Sequence, residues 1–297
     1  MPRPVPHTPA PHTPSAAIFA ALAPAAAAAP PTRGRIAIPA LAALALALLA
    51  ALPAAAWTPR TQARIALEAA RLAPPDLARQ IERREASYRE GVAAPFADAD
   101  PARHVAGGGG RLDRVIVEEA ARAVEAIRAH RPFDEIVHQL GVVAHHVADA
   151  NHPLAASADD PREADYYADF DRYLDAAEPR LPLVYYGAMP GLDRREDVSS
   201  LVAATLARSR GLYPLVGREY RRIGFASGVG RFDDRSTAFG VASLAFSHAV
   251  TDVARVFRWV WLRAGGGDPR DGLPERGGRL IRLPRLPPEH PAAGRIR

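Results

Sequence analysis

The sequence contains no cysteine and no lysine. Without cysteine, the chain can build neither a disulfide scaffold nor a metal site with thiolate ligands. All 38 basic residues are arginine, a bias that reflects the composition of the genome more than a function. The absence of cysteine therefore excludes these two kinds of site, and the absence of lysine carries no functional conclusion.

The central region also lacks a strong charge of either sign. The net charge of the chain is +5, and residues 1–56 and residues 265–297 each carry +3 of it. This leaves −1 for residues 57–264. Because nucleic-acid grooves are rich in basic residues, a nearly neutral core argues against a dedicated nucleic-acid-binding site.

Sustained alternation of polar and apolar residues, the pattern of half-buried strands, is absent as well. Instead, apolar residues recur at steps of three and four, which predicts helices. We expect an all-α fold, a single multi-helix domain over residues 57–264 that is long enough to enclose an internal site. The predicted helices cover residues 61–72, 76–90, 113–129, 132–151, 162–177, 197–222 and 236–263.

Residues 33–56 have the three parts of a secretory signal peptide. Arg33 and Arg35 form a basic start, residues 36–52 an apolar run, and residues 54–56 a cleavage site of small side chains. Cleavage there would make Trp57 the first residue of a secreted or periplasmic protein without a stable transmembrane span. An uncleaved membrane anchor is the alternative, because the apolar run approaches the roughly 20 residues that cross a bilayer.

The remaining terminal segments show no folding pattern. Residues 1–32 are rich in proline and alanine and contain no acidic residue, so we expect a disordered extension or a start codon assigned too early. Residues 265–297 are rich in proline, glycine and arginine, and we expect a disordered tail. Contact of this tail with anionic lipid or an acidic partner is the alternative, although acidic residues interrupt it.

The most informative segment is the end of the helix predicted over residues 132–151. His145 and Asp149 lie four residues apart and therefore on one face, where a ring nitrogen and a carboxylate oxygen can meet one cation. Pro153 favours an end of the helix just before it, and His138 belongs either to the site or to its rim. The alternative for such a pair is a surface ion pair without a metal.

A second pair with the same spacing, His248 and Asp252, is interpreted differently. The apolar stripe of the last predicted helix runs through Phe246, Val250 and Val253. That stripe places His248 and Asp252 on the opposite, polar side of the helix. We therefore expect this second pair to be solvated.

The segment His145-x-x-x-Asp149 followed by Pro153-Leu154 resembles the central helix of the zinc-dependent phospholipase C and single-strand-specific nuclease superfamily. In that superfamily, cleavage of the leader exposes an N-terminal tryptophan whose amine and carbonyl bind metal, and Trp57 matches this position. The resemblance extends to residues 259–265, which are similar to the terminal helix of the family. It implies an all-α domain of the zinc-dependent phospholipase C type.

The resemblance fills some ligand positions and leaves others without a ligand. Arg103-His104-Val105 matches a segment that carries a histidine ligand, and Asp171 takes the place of a glutamate ligand. The metal ligands that it implies are Trp57, His104, His145, Asp149 and Asp171. Residues that are poor ligands stand at four further positions: Gln62, Phe96, Ala155 and Tyr167. Spare donors nearby, which could replace missing ligands, are Glu90, Asp98, Asp100, His146, His152 and Asp169.

The resemblance implies an exported zinc-dependent phosphodiester hydrolase with a reduced metal centre. His104, His145 and Asp149 leave three ligands for one zinc, and a second zinc is the alternative. In such enzymes the metal activates a water and neutralises phosphate charge; no catalytic residue is assigned here. A phospholipid or another phosphodiester is the expected substrate, favoured over nucleic acid because the core is not basic. The alternative function is a non-catalytic binding or structural protein that keeps the fold and at most one zinc.

Overall fold

The computed structural model describes residues 56–189, 192, 197–267 and 279–282. These residues form nine α-helices, joined by short 3₁₀ turns and accompanied by one pair of strands. The helices are α1 Pro59–Leu72, α2 Pro75–Arg83, α3 Glu85–Ala93, α4 Leu112–Arg128, α5 Phe133–Asn151, α6 Pro153–Ala156, α7 Tyr167–Ala177, α8 Val198–Arg222 and α9 Thr237–Arg263. The strands are β1 Leu183–Tyr185 and β2 Arg279–Arg282. The predicted all-α class is confirmed.

The predicted helices are all present, and one of them is divided. The helix expected over residues 76–90 is split into α2 and α3, because Arg84 leaves helical geometry at φ −127° and ψ 37°. Helices α1 and α2 begin at Pro59 and Pro75, where proline fits because the first N–H groups of a helix have no helical partner. The helix expected over residues 162–177 begins as a 3₁₀ turn, Glu163–Asp165, before α7.

Helix α5 packs against α3, α4, α8 and α9, and its approach to α3 depends on two glycines. A Cβ atom at Gly91 would lie 1.9 Å from the carbonyl oxygen of His138, and one at Gly141 would lie 2.4 Å from that of Tyr88. Side chains cannot fit in such gaps, so the backbones of α3 and α5 touch directly. This contact places the C-terminal end of α3 next to His145 on α5.

Strand β1 lies against α9 on one side and pairs with β2 on the other. Ser247, Thr251 and Arg255, one helical turn apart on α9, form hydrogen bonds to backbone atoms of residues 182–187. The other edge of β1 pairs antiparallel with β2, with Leu183 opposite Arg282. The β1 segment therefore covers one face of α9.

Strand β2 falls in the segment for which the sequence predicts a disordered tail. These four residues are instead held by backbone pairing with β1, which needs no alternating sequence pattern. Arg282 also holds them, because its guanidinium lies 3.1 Å from Glu178 and over the ring of Phe246. Residues 268–278 and 283–297 lie outside the described residues. The rest of the tail therefore stays a prediction.

The predicted extension and signal peptide, residues 1–32 and 33–56, lie outside the described residues except for Ala56. Ala56 and Trp57 are buried, with 0% and 1% of their surface exposed. Within the ranges that the structure describes, no helix combines the length and the apolar character that crossing a bilayer requires.

The expectation that His248 and Asp252 are solvated is wrong. Asp252 is fully buried and accepts hydrogen bonds from Thr205 (2.9 Å) and from Arg208 and Arg255. The ring of His248 stacks on Tyr186 with centroids 4.3 Å apart, and burial, assisted by the charge of Arg208, lowers the pKa of His248 to about 4. The helical period identifies the apolar stripe but cannot reveal that α8 and the β1 segment cover the polar side.

Candidate metal centre

The end of helix α5 and a neighbouring turn supply the polar side chains of the candidate centre. The last two turns of α5 carry His145, His146 and Asp149. The 3₁₀ turn Pro101–Arg103 presents His104 at its C-cap. Residues distant in sequence therefore meet at one place inside the helical core.

An anchored arginine fixes the turn that presents His104. Arg103 Nε donates to Asp98 (2.8 Å), and its Nη2 donates to Glu119 on α4 (2.9 Å). The backbone N–H of Ala106 donates to the Ala155 carbonyl (2.8 Å). These contacts tie the turn to α4 and α6 on either side of the centre.

Three imidazole rings surround the carboxylate of Asp149. Its Oδ2 atom lies 2.8 Å from His104 Nδ1, 3.4 Å from His145 Nε2 and 4.0 Å from His146 Nδ1. The ring centroids are 5.2, 5.3 and 5.4 Å apart, so the rings form a nearly equilateral triangle. Each of the four residues is at most 1% exposed.

The spacing of these atoms suits a single cation. Donor atoms of His104, His146 and Asp149 all lie within 4.8 Å of one another. His145 is outside that group, although its Nε2 lies 3.4 Å from Asp149 Oδ2. Zinc binds nitrogen and oxygen ligands at about 2.0–2.2 Å. The side chains of His104, His146 and Asp149 could therefore hold a metal ion as a group.

Unsatisfied polar atoms concentrate at this point. Within the part of the chain that the structure describes, five buried atoms of the group have no hydrogen-bond partner: His104 Nε2, His145 Nε2, His146 Nδ1, His146 Nε2 and Asp149 Oδ1. A buried polar atom without a partner costs about 1–3 kcal/mol. A metal ion could partner some of these atoms, because nitrogen with carboxylate oxygen is a donor set that metals such as zinc accept.

A backbone contact prepares His145 for this role. Its Nδ1 lies 2.8 Å from the carbonyl oxygen of Val92 at the end of α3, and a carbonyl can only accept a hydrogen bond. Nδ1 therefore carries a proton, and in the neutral ring the lone pair is on Nε2, which faces Asp149 at 3.4 Å. Histidine ligands in metal sites are oriented by this kind of second hydrogen bond.

Burial and neighbouring charges shift the pKa values of the group in different directions. Burial raises the pKa of Asp149, but the nearby His145 and His104 lower it more, and the pKa of Asp149 lies well below its usual range. Burial lowers the pKa of His146 to about 3, so this ring is neutral at pH 7. Burial also lowers the pKa of His104, but the hydrogen bond and charge of Asp149 outweigh it and raise that pKa. A metal at the centre would therefore compete with a proton on His104.

Trp57 and Asp171, which the sequence resemblance assigns as ligands, lie around His152. Asp171 Oδ1 is 3.0 Å from His152 Nε2. The Trp57 ring meets the His152 ring edge-on at 5.1 Å, and its Nε1 donates to the Ala148 carbonyl (2.9 Å). With Tyr167, whose ring stacks on His152 at 5.7 Å, these residues form what we call the His152 group.

Two of the poor ligands noted in the sequence are in contact with His145. Gln62 Nε2 donates to the His145 carbonyl (2.8 Å), and the ring of Phe96 lies edge-on to the His145 imidazole at 4.7 Å. Both residues thus support the position of His145 through packing and hydrogen bonding. Phe96 closes the side of the imidazole on which it lies.

The structure places the spare donors in different environments. Asp98 Oδ2 lies 3.9 Å from His104 Nε2 on the half-exposed side of the centre, whereas Glu90 is exposed. Asp169 accepts hydrogen bonds from Gly228 and Ser227, and Asp100 pairs with Arg111. His138 is half-buried and is not part of the cluster.

Sequence reasoning treats His146 only as a spare donor, although it belongs to the cluster. The signal that identifies it is its spacing, because residues three apart on a helix are neighbours, and His146 precedes Asp149 by three. Asp149 therefore lies near both histidines, because His145 is four residues before it and His146 is three residues before it. The pattern His-His-x-x-Asp carries this information.

The chain matches no protein-family model, no curated protein and no solved structure.

Proposed function

We propose that this protein binds one zinc ion through His104, His145, His146 and Asp149, in a closed centre that stabilises the fold. The observation that carries the proposal is the cluster of five buried polar atoms without partners on these four side chains. A dication bound through one nitrogen of each ring and the carboxylate would satisfy several of those atoms and balance the ionised carboxylate. It would also link the turn before α4 to the end of α5.

The number and burial of the donors favour a closed centre. Structural zinc sites are usually tetrahedral with four protein ligands, whereas catalytic sites keep one position open for water. Here three imidazoles and one carboxylate supply four donors, each residue at most 1% exposed. The Phe96 ring packs against the His145 imidazole. The chain has no cysteine, so nitrogen and oxygen are the ligands available.

Metal analysis of the purified protein tests the proposal directly. We expect elemental mass spectrometry of the purified protein to measure about one zinc ion per chain. His146→Ala and Asp149→Asn each remove one of the deeply buried donors, and we expect either to reduce the bound zinc to a small fraction. His138→Ala is the matched control, because it lies on the same helix outside the cluster and should keep the full amount.

Two results would overturn the zinc proposal. One is a folded wild-type protein that takes up no zinc from a buffered solution of the ion. The other is a folded His146→Ala protein that binds as much zinc as the His138→Ala control. Circular dichroism on each variant separates loss of metal from loss of the helical fold.

We propose a zinc-dependent phosphodiester hydrolase of the phospholipase C type as the second candidate function. Two observations favour it: the His145-x-x-x-Asp149 segment with Pro153-Leu154, and the half-exposed carboxylate of Asp98, 3.9 Å from His104 Nε2. A bound zinc supplies a Lewis acid that lowers the pKa of water. The Asp98 carboxylate is positioned to accept a proton at the exposed side of His104.

The hydrolase candidate predicts zinc-dependent turnover of bis(p-nitrophenyl) phosphate or a short-chain phosphatidylcholine. We expect Asp98→Asn to reduce the rate by about 10²-fold or more, the usual effect of losing a general base. Glu90→Gln is the matched control, because Glu90 is exposed. Absence of turnover in the zinc-loaded protein would reject this candidate and leave the closed zinc centre intact.

A further inference from the structure

The His152 group contains a histidine, a tyrosine and an aspartate and therefore resembles a second set of metal ligands beside the centre. His152 is fully buried at the junction between α5 and α6. Its Nδ1 accepts a hydrogen bond from the backbone N–H of Leu154 (3.2 Å), and its Nε2 lies 3.0 Å from Asp171 Oδ1. The contact at Nε2 is close but is not aligned as a hydrogen bond, because neither His152 Nε2 nor Asp171 Oδ1 has a hydrogen-bond partner within the described residues.

The contact with Leu154 determines which nitrogen carries the proton. A backbone N–H can only donate, so Nδ1 of His152 must offer its lone pair and cannot carry hydrogen. The neutral ring therefore has its proton on Nε2, where it faces the carboxylate of Asp171. No ring nitrogen of His152 has a lone pair left for a metal.

His145 has the opposite arrangement. Its Nδ1 faces the Val92 carbonyl (2.8 Å) and must donate, so the neutral ring has its lone pair on Nε2, which faces Asp149. Two buried histidines on the same segment are therefore held in different tautomers by backbone groups of opposite kind. The Val92 carbonyl leaves Nε2 of the neutral His145 ring able to bind a metal. The Leu154 N–H uses the Nδ1 lone pair of His152, which is then not offered to a metal.

The other members of the His152 group do not form a ligand set by themselves. With Ala56 attached, the Trp57 nitrogen is a peptide N–H and not an amine ligand, and its indole Nε1–H donates a hydrogen bond to the Ala148 carbonyl (2.9 Å). Tyr167 offers a phenol oxygen, which zinc sites seldom use. Asp171 is thus left as a single carboxylate whose nearest described partner is the proton-bearing nitrogen of His152.

We propose that His152 and Asp171 form a pair without a metal, in which the Nε2 proton and the carboxylate meet across their 3.0 Å contact. This pair fixes α7 beside the centre, so that the chain holds a single metal. The single-metal part rests on the proposed zinc centre, whereas the pair stands on its own geometry. Asp171, assigned as a metal ligand by the sequence resemblance, then has a structural role. The pair links the α5–α6 junction to α7 in the presence or absence of zinc.

Nitrogen-15 NMR of the metal-free wild-type protein tests the pair without any variant. Long-range proton–nitrogen spectra distinguish the two neutral tautomers of each histidine. We expect His152 as the Nε2–H form and His145 as the Nδ1–H form. An Nδ1–H tautomer or a doubly protonated ring at His152 would overturn the proposal.

Metal stoichiometry and thermal unfolding test the claim that the chain holds a single metal. We expect zinc binding to saturate at one equivalent, and Asp171→Asn to keep that equivalent while lowering Tm equally in zinc-free and zinc-loaded protein. Asp165→Asn, an exposed site before α7, is the control and should leave Tm unchanged. A second equivalent of zinc in the wild type that disappears in Asp171→Asn would overturn the pair. If no zinc binds at all, the proposed centre fails, while the tautomer of His152 still decides the pair.

Discussion

At the residue scale, neighbouring tyrosines at the start of α7 provide a matched comparison. Tyr166 donates to Asp160 (3.0 Å), whereas the buried hydroxyl of Tyr167 has no hydrogen-bond partner within the described residues. The two rings are adjacent in sequence, yet only one hydroxyl is satisfied by the protein. Removing each hydroxyl should therefore have opposite consequences.

We expect Tyr167→Phe to leave the free energy of unfolding unchanged or to raise it by up to about 1 kcal/mol, because it removes an unsatisfied polar group. Tyr166→Phe should lower that free energy by about 1 kcal/mol, because it removes a satisfied hydrogen bond. Urea unfolding of both variants measures the difference. A loss of more than about 1 kcal/mol in Tyr167→Phe would contradict the prediction.

Residue-level prediction from the sequence succeeded where spacing carries the information. His145 and Asp149 lie on one helical face, as their separation by four predicts, and both are in the cluster. His104 comes from a distant turn that no local pattern places there, and only the family resemblance indicated it. Prediction of His146 requires the second helical spacing, because His146 precedes Asp149 by three residues and His145 precedes it by four.

At the scale of elements, Glu119 on α4 connects three parts of the fold around the centre. It accepts hydrogen bonds from Arg103 in the turn before His104 (2.9 Å) and from Gln139 on α5 (2.8 Å). Burial raises the pKa of Glu119, but the hydrogen bonds from Arg122, Gln139 and Arg103 outweigh it, and the pKa is lowered. The carboxylate is therefore ionised and shared among these elements.

We expect Glu119→Gln to lower the free energy of unfolding by about 2 kcal/mol, the usual value for hydrogen bonds to a charged group. It should also weaken zinc binding by about 10-fold or more, as loss of outer-shell support does. Glu118→Gln is the control because its side chain is exposed. Denaturant unfolding and competition with a zinc indicator measure the two effects.

The lowered pKa of Glu119 fixes the direction of its pH dependence. A depressed pKa in the folded state contributes stability above the unfolded value of about 4.3, and this contribution is lost as pH falls through the folded pKa. The stability difference between wild type and Glu119→Gln should therefore be full near pH 6 and shrink below about pH 4. A difference that grows on acidification would contradict this sign.

The sequence predicted the helices better than their contacts. Apolar periodicity located α5 and α9 within a few residues, because a buried face must repeat with the helical turn. It could not reveal the break at Arg84, where a non-helical φ/ψ pair separates α2 from α3. It also misjudged Asp252, because the partner Arg208 comes from another helix and is placed by tertiary packing alone.

At the scale of the whole molecule, zinc would couple binding to global stability. A ligand that binds only the folded state, at 100 times its Kd, adds about 2.7 kcal/mol to the free energy of unfolding. For a domain of about 200 residues this raises Tm by about 5–10 °C. We expect that shift between chelated and zinc-saturated protein, and none in Asp149→Asn. A wild-type Tm independent of zinc would contradict it.

The direct backbone contact of α3 with α5 has a further consequence for how zinc binding can be lost. The Val92 carbonyl that orients His145 reaches it only because Gly91 and Gly141 have no side chains. In an unbiased mutational screen for weakened zinc uptake, these two glycines should therefore appear among the sensitive positions, although neither contributes a ligand. Inheritance of the centre in related chains would then depend on small residues at this crossing as much as on the histidines.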